Sequence, residues 1–199
     1  MKNLIVLGAA LAATALSSIT ASAADATYVR GSTAWFEPVA SESFDGALGG
    51  LVAFGQTFGV HNIEAEIGYV NFSASGSFYG ITGSADLEVI PVTIGYRYDL
   101  KLTDKLNLGL GANTGFAITQ GSVSVTVPGV GSGSFSDTDT VWVASGGLRL
   151  SYALTETVTL SAGYRYLLVD DISFSFEGVP VKLEDNNTHA FEIGAEYRW

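Results

Sequence analysis

Cysteine is absent from this chain of 199 residues. Neither a disulfide framework nor a thiolate metal site can form. Proline is scarce, with 4 residues, and basic side chains are few, with 9 Lys and Arg against 20 Asp and Glu. The formal net charge of −11 argues against nucleic acid as a partner, because phosphate binding needs a basic footprint. Long hydrophobic runs are missing as well. Past the first two dozen residues, no apolar stretch approaches the ~20 residues that a helical membrane span needs. Yet 47% of the residues are hydrophobic.

What is present begins with a leader. Lys2 gives a positive start, residues 4–16 are apolar and small, and Ala21-Ser22-Ala23 forms an A-x-A cleavage site. This pattern predicts a secretory signal peptide over residues 1–23 and one mature domain over residues 24–199. An uncleaved N-terminal anchor is the competing reading, and the stretch is short for it. An exported apolar chain without a spanning helix either hides its apolar residues in a core or shows them to lipid as a closed barrel.

The rest of the chain alternates. In the closing segment HAFEIGAEYRW, Phe191, Ile193, Ala195, Tyr197 and Trp199 share one parity, and Ala190, Glu192, Gly194, Glu196 and Arg198 share the other. Successive side chains of a strand point to opposite faces, so the segment has one apolar and one charged or small face. The same period of two recurs around Leu48–Phe58, Ile63–Tyr69, Ile90–Tyr98, Leu106–Phe116, Trp142–Tyr152 and Val158–Tyr166. No 3.6-residue period is sustained. A weaker segment, Thr27 to Phe36, has ambiguous parity and brings the expected strands to eight.

The expected connections sort by length. Those near residues 59–62, 99–105 and 154–157 are tight, and those near 37–46, 73–86, 120–139 and 170–188 are long. Short turns on one rim and long loops on the other mark an outer-membrane barrel with both termini on the short-turn side. Residues 123–136 have β character, so the fifth strand is expected to project past the membrane. Two segments, YDLKLTDKLNLGLG and YALTETVTLSAG, repeat one hairpin pattern, and GYRY occurs at Gly95 and at Gly163.

Composition says which face looks outward. A soluble barrel of lipocalin type would turn its apolar parity inward. Here the polar parity is rich in Gly, Ser, Thr and Asn, and it carries Arg30, Arg97, Arg149, Arg165 and Arg198 with Glu64, Glu66, Glu192 and Glu196. These nine charges form the expected lumen network. The other parity is aliphatic in mid-strand and aromatic toward the ends, with Tyr69, Tyr96, Tyr98, Trp142, Tyr152, Tyr164 and Tyr166 as an expected girdle.

These features together resemble the small OmpA/OmpX/opacity-type outer-membrane barrels. The resemblance spans the mature chain and rests on pattern more than on one motif. It implies an all-β fold: an eight-stranded antiparallel up-and-down transmembrane β-barrel in the Gram-negative outer membrane, acting as a monomer. It also implies outer-membrane lipid and lipopolysaccharide as surroundings, and reading of the last strand by the barrel-assembly machinery. Phe191, Ile193, Tyr197 and Trp199 fit that assembly signal. With the sequence ending at Trp199, the peptidoglycan-binding domain of larger OmpA-type members is not expected.

Several sites compete. Unpaired buried charge is very costly, so the lumen charges are expected to pair, Glu64 or Glu66 with Arg97 and Arg30 with Glu196. A structural plug is favoured over a gated ion path, since eight strands leave room only for side chains. Catalysis is not expected. His61 falls in an expected turn, and His189 lies near Asp170, Asp171, Glu184 and Asp185, with Ser173 and Ser175 as conceivable nucleophiles and no nucleophile motif around them. No cofactor is implied, and the acidic loops offer carboxylates to a divalent cation without EF-hand spacing. Phe44, Phe78, Tyr79, Phe135, Phe174 and Phe176 are the candidate contact aromatics of the loops. The functional expectation is a structural or adhesin-like surface-interaction barrel with an unknown extracellular or host ligand. The alternative is a narrow pore or a route for small hydrophobic molecules.

Overall fold

A computed structural model of the chain describes residues 25–39, 44–78, 81–129, 131–176, 179–184 and 186–199. The expected signal peptide, Tyr79 and Asp185 lie outside these residues, as do the side chains of Phe78 and Phe176. Among the described residues ten strands form: β1 (Ala26–Pro38), β2 (Ala47–Phe58), β3 (His61–Phe78), β4 (Ile81–Lys101), β5 (Leu106–Val127), β6 (Gly131–Ala153), β7 (Val158–Val169), β8 (Ile172–Phe176), β9 (Val179–Leu183) and β10 (Thr188–Arg198). Eight of them close a barrel in the order β1-β10-β7-β6-β5-β4-β3-β2, and β8 and β9 make a separate hairpin. All pairings are antiparallel.

The short turns are built from local chemistry. Gly59 takes a positive φ of 63° between β2 and β3, a conformation that glycine adopts without steric cost, and its amide donates to the Asp25 carboxylate. The two remaining turns repeat one device. Thr103 Oγ1 accepts the amides of Lys105 and Leu106, and Thr155 Oγ1 accepts those of Thr157 and Val158. The repeated hairpin pattern of the sequence is therefore a repeated threonine-capped turn. At the seam, Thr27 and Trp199 exchange both backbone hydrogen bonds, at 3.1 and 3.0 Å.

Two expected loops are strands instead. β3 and β4 pair from His61↔Tyr98 up to Phe78↔Ile81, and β5 and β6 pair up to Val127↔Gly131. The described residues of 73–86 and most of those of 120–139 thus extend the barrel wall as a four-stranded sheet. The Gly/Ser/Thr runs there read as loops, with the fifth strand alone expected to project, as it does. The small residues of 73–77, 82–86, 121–126 and 131–139 have ladder partners, and main-chain pairing does not need large side chains. The outward face records the change of surroundings. Its aromatic and aliphatic residues stop at Tyr69, Ile90, Ile118 and Trp142, and Asn71, Glu88, Gln120 and Thr140 follow. Beyond them come Ser73, Ser75, Ser84, Ser122, Ser124 and Ser134. Loop four likewise holds a hairpin, β8–β9, that the alternation did not predict.

The parity of β1 is settled by burial. Tyr28, Arg30, Ala34 and Phe36 are buried, and Val29 and Trp35 are exposed. The outer surface is strongly apolar: Leu48 is 68% and Ile193 70% exposed. The interior is divided. Toward the short-turn rim it is charged, and toward the long-loop rim the same parity becomes apolar, through Phe36, Val70, Phe72, Leu87, Val141 and Val143. The expectation of a polar interior throughout holds only for the first half.

Candidate functional site

Four guanidinium groups and four carboxylates meet inside the lower barrel. Arg30 comes from β1, Glu64 and Glu66 from β3, Arg97 from β4, Arg149 from β6, Arg165 from β7, and Glu192 and Glu196 from β10. Every one of these side chains is at most 11% exposed. Glu64 is the hub. Its Oε1 lies 3.1 Å from Arg30 Nη2, and its Oε2 lies 3.3 Å from Arg97 Nη1 and 3.7 Å from Arg149 Nη1. The Tyr28 hydroxyl donates to the same carboxylate at 3.0 Å. Glu66 holds Arg30 at 2.8 Å and Arg165 at 2.5 Å. Glu192 lies 2.8 Å from Arg165 Nε, 3.6 Å from Arg30 and 3.9 Å from Arg149.

One expected pair needs correction. Arg30 and Glu196 are direct partners in the β1–β10 register, but Arg30 reaches Glu64, Glu66 and Glu192 instead. Glu196 holds Arg97 at 3.5 Å and the rim residue Arg198 at 2.6 Å. Glu64 does pair with Arg97, whereas Glu66 does not. The reason is geometric: long side chains lean along a strand, and the narrow lumen brings residues of non-adjacent strands within reach. Arg198 belongs at the edge of the network, with 28% of its side chain exposed and its guanidinium 5.9 Å from the Tyr28 ring.

Three members were not anticipated. Asp99 accepts Arg97 Nε at 2.9 Å, Asn62 donates to Asp99 at 2.9 Å, and Tyr28 caps Glu64. Asp99 shares the parity of Arg97 two residues on, so carrying the alternation past Tyr98 would have found it. Glycine makes the space. A Cβ at Gly55 would overlap the Tyr28 ring, and one at Gly109 would stand 2.9 Å from Arg97 Cδ. Arg149 is the loosest member. Its Nη1 has no aligned hydrogen bond, and a cavity of about 30 Å³ lies beside it, lined by Gly111, Asn113, Ser145 and Gly147. Glu192 Oε1 is within ion-pair distance of Arg165 but lacks hydrogen-bond alignment.

The outer face holds the aromatic residues. Tyr69, Tyr96, Trp142 and Tyr152 are each about half exposed, and Tyr98, Tyr164 and Tyr166 are more covered. Phe191, Ile193, Tyr197 and Trp199 also point outward. The two GYRY segments share an unforeseen geometry. His61 sits between Tyr96 and Tyr98, its Nδ1 2.6 Å from the Tyr96 hydroxyl. His189 sits between Tyr164 and Tyr166, its Nδ1 2.7 Å from the Tyr164 hydroxyl. One clamp lies near each rim. His61 is the first residue of β3 and not a turn residue.

The family model of the outer membrane protein beta-barrel domain matches residues 7–198. The chain belongs to this family. Its place is the bacterial outer membrane, with the short turns periplasmic and the long hairpins extracellular. No curated protein matches the sequence. Among solved structures, a major outer membrane protein of Thermus thermophilus superposes with a TM-score of 0.59 at 11% identity, over 87% of this chain and 99% of that one. OprG of Pseudomonas aeruginosa gives 0.55 at 17% identity, over 88% and 96%. Neisserial surface protein A gives 0.51 at 18% identity, over 87% and 97%. At these identities the likeness is one of fold.

The extracellular residues that resembled a catalytic set are not brought together. His189 faces outward against Tyr164, whereas Ser173 and Ser175 lie on β8, their amides donating to Asp139 and Asp137 at 2.8 and 2.7 Å. Backbone amides hold the Asp137 carboxyl below the usual carboxylate range, that of Ser175 first and then that of Thr138. Asp171 and Glu184 share the Lys182 ammonium at 2.7 and 2.9 Å. Among the described residues, no group of three or more His, Asp or Glu side chains gathers as a metal site. Of the loop aromatics, Phe174 is buried against Gly121, Phe44 packs against the upper core, and Phe135 is partly exposed.

Proposed function

We propose that this protein is a closed barrel that works from its outer surface, as a structural and adhesin-like interaction protein. The observation that carries the reading is the ion-pair cluster. It joins β1, β3, β4, β6, β7 and β10 across the lumen, so an ion crossing the barrel must break buried charge pairs, each costly to separate. The extracellular face supports the same reading. Four paired strands rise past the lipid-facing residues, with a hydroxyl-rich outer face suited to the sugar layer of lipopolysaccharide. Insertion by the barrel-assembly machinery through the last strand, and a monomeric state, belong to the same proposal.

The test is a trimmed barrel. Replacing residues 122–136 by a two-residue turn removes the tip of β5–β6 and leaves the membrane-spanning register intact. Cells displaying the trimmed protein should lose binding to host-cell or extracellular-matrix surfaces while the heat-dependent band shift of the folded barrel persists. Unchanged binding with an intact barrel would contradict the surface role of this sheet.

A further inference from the structure

The extracellular half of the lumen contains a cavity of about 70 Å³, where one water needs only about 10–15 Å³. Its wall is made by residues such as Phe36, Val70, Leu87, Val89, Ala117 and Leu167, and Ile172 of the β8 segment roofs it. Two polar residues line it, and both are engaged within the protein. Asn186 Nδ2 donates to the Leu183 carbonyl at 2.8 Å, and Thr188 Oγ1 donates to the Asn186 carbonyl at 3.1 Å. The rest of the lining is apolar. Below the cavity the charged cluster closes the lumen, so the chamber is blind toward the periplasm.

The wall beside this chamber has a flaw. Every other barrel ladder among the described residues pairs without interruption. Between β3 and β4 the pairs run to Ile67↔Val92 and resume at Val70↔Val89, so Gly68 and Tyr69 do not pair with Pro91 and Ile90. Proline has no amide hydrogen to donate, which explains the missing bond. Gly68 has no side chain, and a Cβ there would stand 3.0 Å from Pro91 Cγ and 2.5 Å from Leu51 Cδ2. Pro91, Val70 and Val89 flank the break and also line the cavity. Its outer mouth, at Tyr69 and Ile90, lies in the lipid-facing band.

We propose that this cavity binds an unbranched alkyl chain, admitted sideways from the outer leaflet through the β3–β4 break. The binding residues are Val70, Leu87, Val89, Ala117, Leu167 and Ile172, and Gly68 with Pro91 forms the seam that parts. The guest is held by apolar burial alone, which gives selectivity for shape and hydrophobicity and none for a headgroup. The chain can belong to a membrane lipid or to a free hydrocarbon, and these share one chemistry.

The experiment uses the full mature protein in nanodiscs of chain-deuterated phospholipid, with labelled Leu, Val and Ile methyls, titrated with decane. The expected result is a saturable shift of the Val70, Val89, Leu167 and Ile172 methyls, with no saturable shift at Leu48 or Ile193. Ala117→Leu, or the gentler Val89→Ile, should weaken that shift at least severalfold while the heat-dependent band shift shows that the barrel remains folded. Because the chain has no cysteine, Tyr69→Cys with Ile90→Cys allows a reversible bolt across the seam. Oxidation should slow decane exchange at least tenfold, and reduction should restore it. In protonated lipid without decane, cross-relaxation from acyl protons to the same methyls identifies a lipid chain as occupant. Decane shifts without that signal identify a free hydrocarbon. Lumen methyls that respond to neither lipid chains nor decane would overturn the site, and unchanged exchange in the bolted protein would overturn the side route.

Discussion

Glu64→Ala removes a carboxylate that touches three guanidinium groups, Arg30, Arg97 and Arg149. Both partners in each pair are largely out of water, with side-chain exposures of 3% for Glu64 and 1–11% for the arginines. Breaking a buried pair typically costs about 3–5 kcal/mol, and the Tyr28 hydroxyl loses its acceptor, a further ~1–3 kcal/mol where it stays buried. The control is Lys101→Ala. Its pair with Asp104 is 66% and 96% exposed, where water screens most of the attraction and the loss should be small. Urea unfolding in lipid vesicles, followed by the folded and unfolded gel bands, measures both. A double-mutant cycle should then give a coupling of about 0.5–3 kcal/mol between Glu64 and Arg97. The Glu66–Arg165 cycle should couple similarly, and the Glu66–Arg97 cycle less than either. Glu64→Leu with Arg97→Met should recover part of the loss, because apolar groups remove the stranded charge. Equal losses for Glu64→Ala and Lys101→Ala, or stronger coupling of Arg97 to Glu66 than to Glu64, would refute the assignment of these pairs.

Deleting Trp199 removes its two backbone bonds to Thr27 and its ring contacts with Phe54 and Tyr197. The amount of assembled barrel in cells should fall, as measured by outer-membrane fractionation and heat-dependent mobility. Gly55→Ala places a methyl against the buried Tyr28 ring and should destabilise the barrel by about 1–3 kcal/mol in the same urea assay. The Asp137 carboxyl lies below its ordinary value of 3.8 because the Ser175 and Thr138 amides donate to it. That contribution is complete above about pH 4 and is lost as the pH falls through the lowered folded value. Protease nicking of β8–β9 should therefore rise in that acidic window, and Asp137→Asn should show the higher nicking already at neutral pH.

Period-two alternation carries most of the wall, because lipid on one side and a narrow lumen on the other leave each residue a single environment. For β2 to β7 and β10 the parity read from the sequence is the parity of the fold. It was weakest for β1, where Tyr28 and Phe36 are large and inward, so side-chain size does not distinguish the faces. The upper lumen was missed for the same reason. Phe72, Leu87 and Val143 are apolar residues on the inward parity, and an apolar residue in a strand does not reveal whether lipid or a core covers it. Ion pairing was legible as a set of charges and not as partners. Register gives only backbone neighbours, and Arg30 bypasses Glu196 to reach across the barrel. The β3–β4 break has one visible sign, Pro91 within an otherwise regular strand, and its meaning depends on Gly68 standing opposite.

Buried charge pairs are proposed to close this outer-membrane barrel to ions. Planar-bilayer recording of the purified, folded protein checks this. At neutral pH no stable single-channel steps are expected from the unaltered barrel. Discrete ohmic steps from that protein, absent from protein-free bilayers, would contradict it.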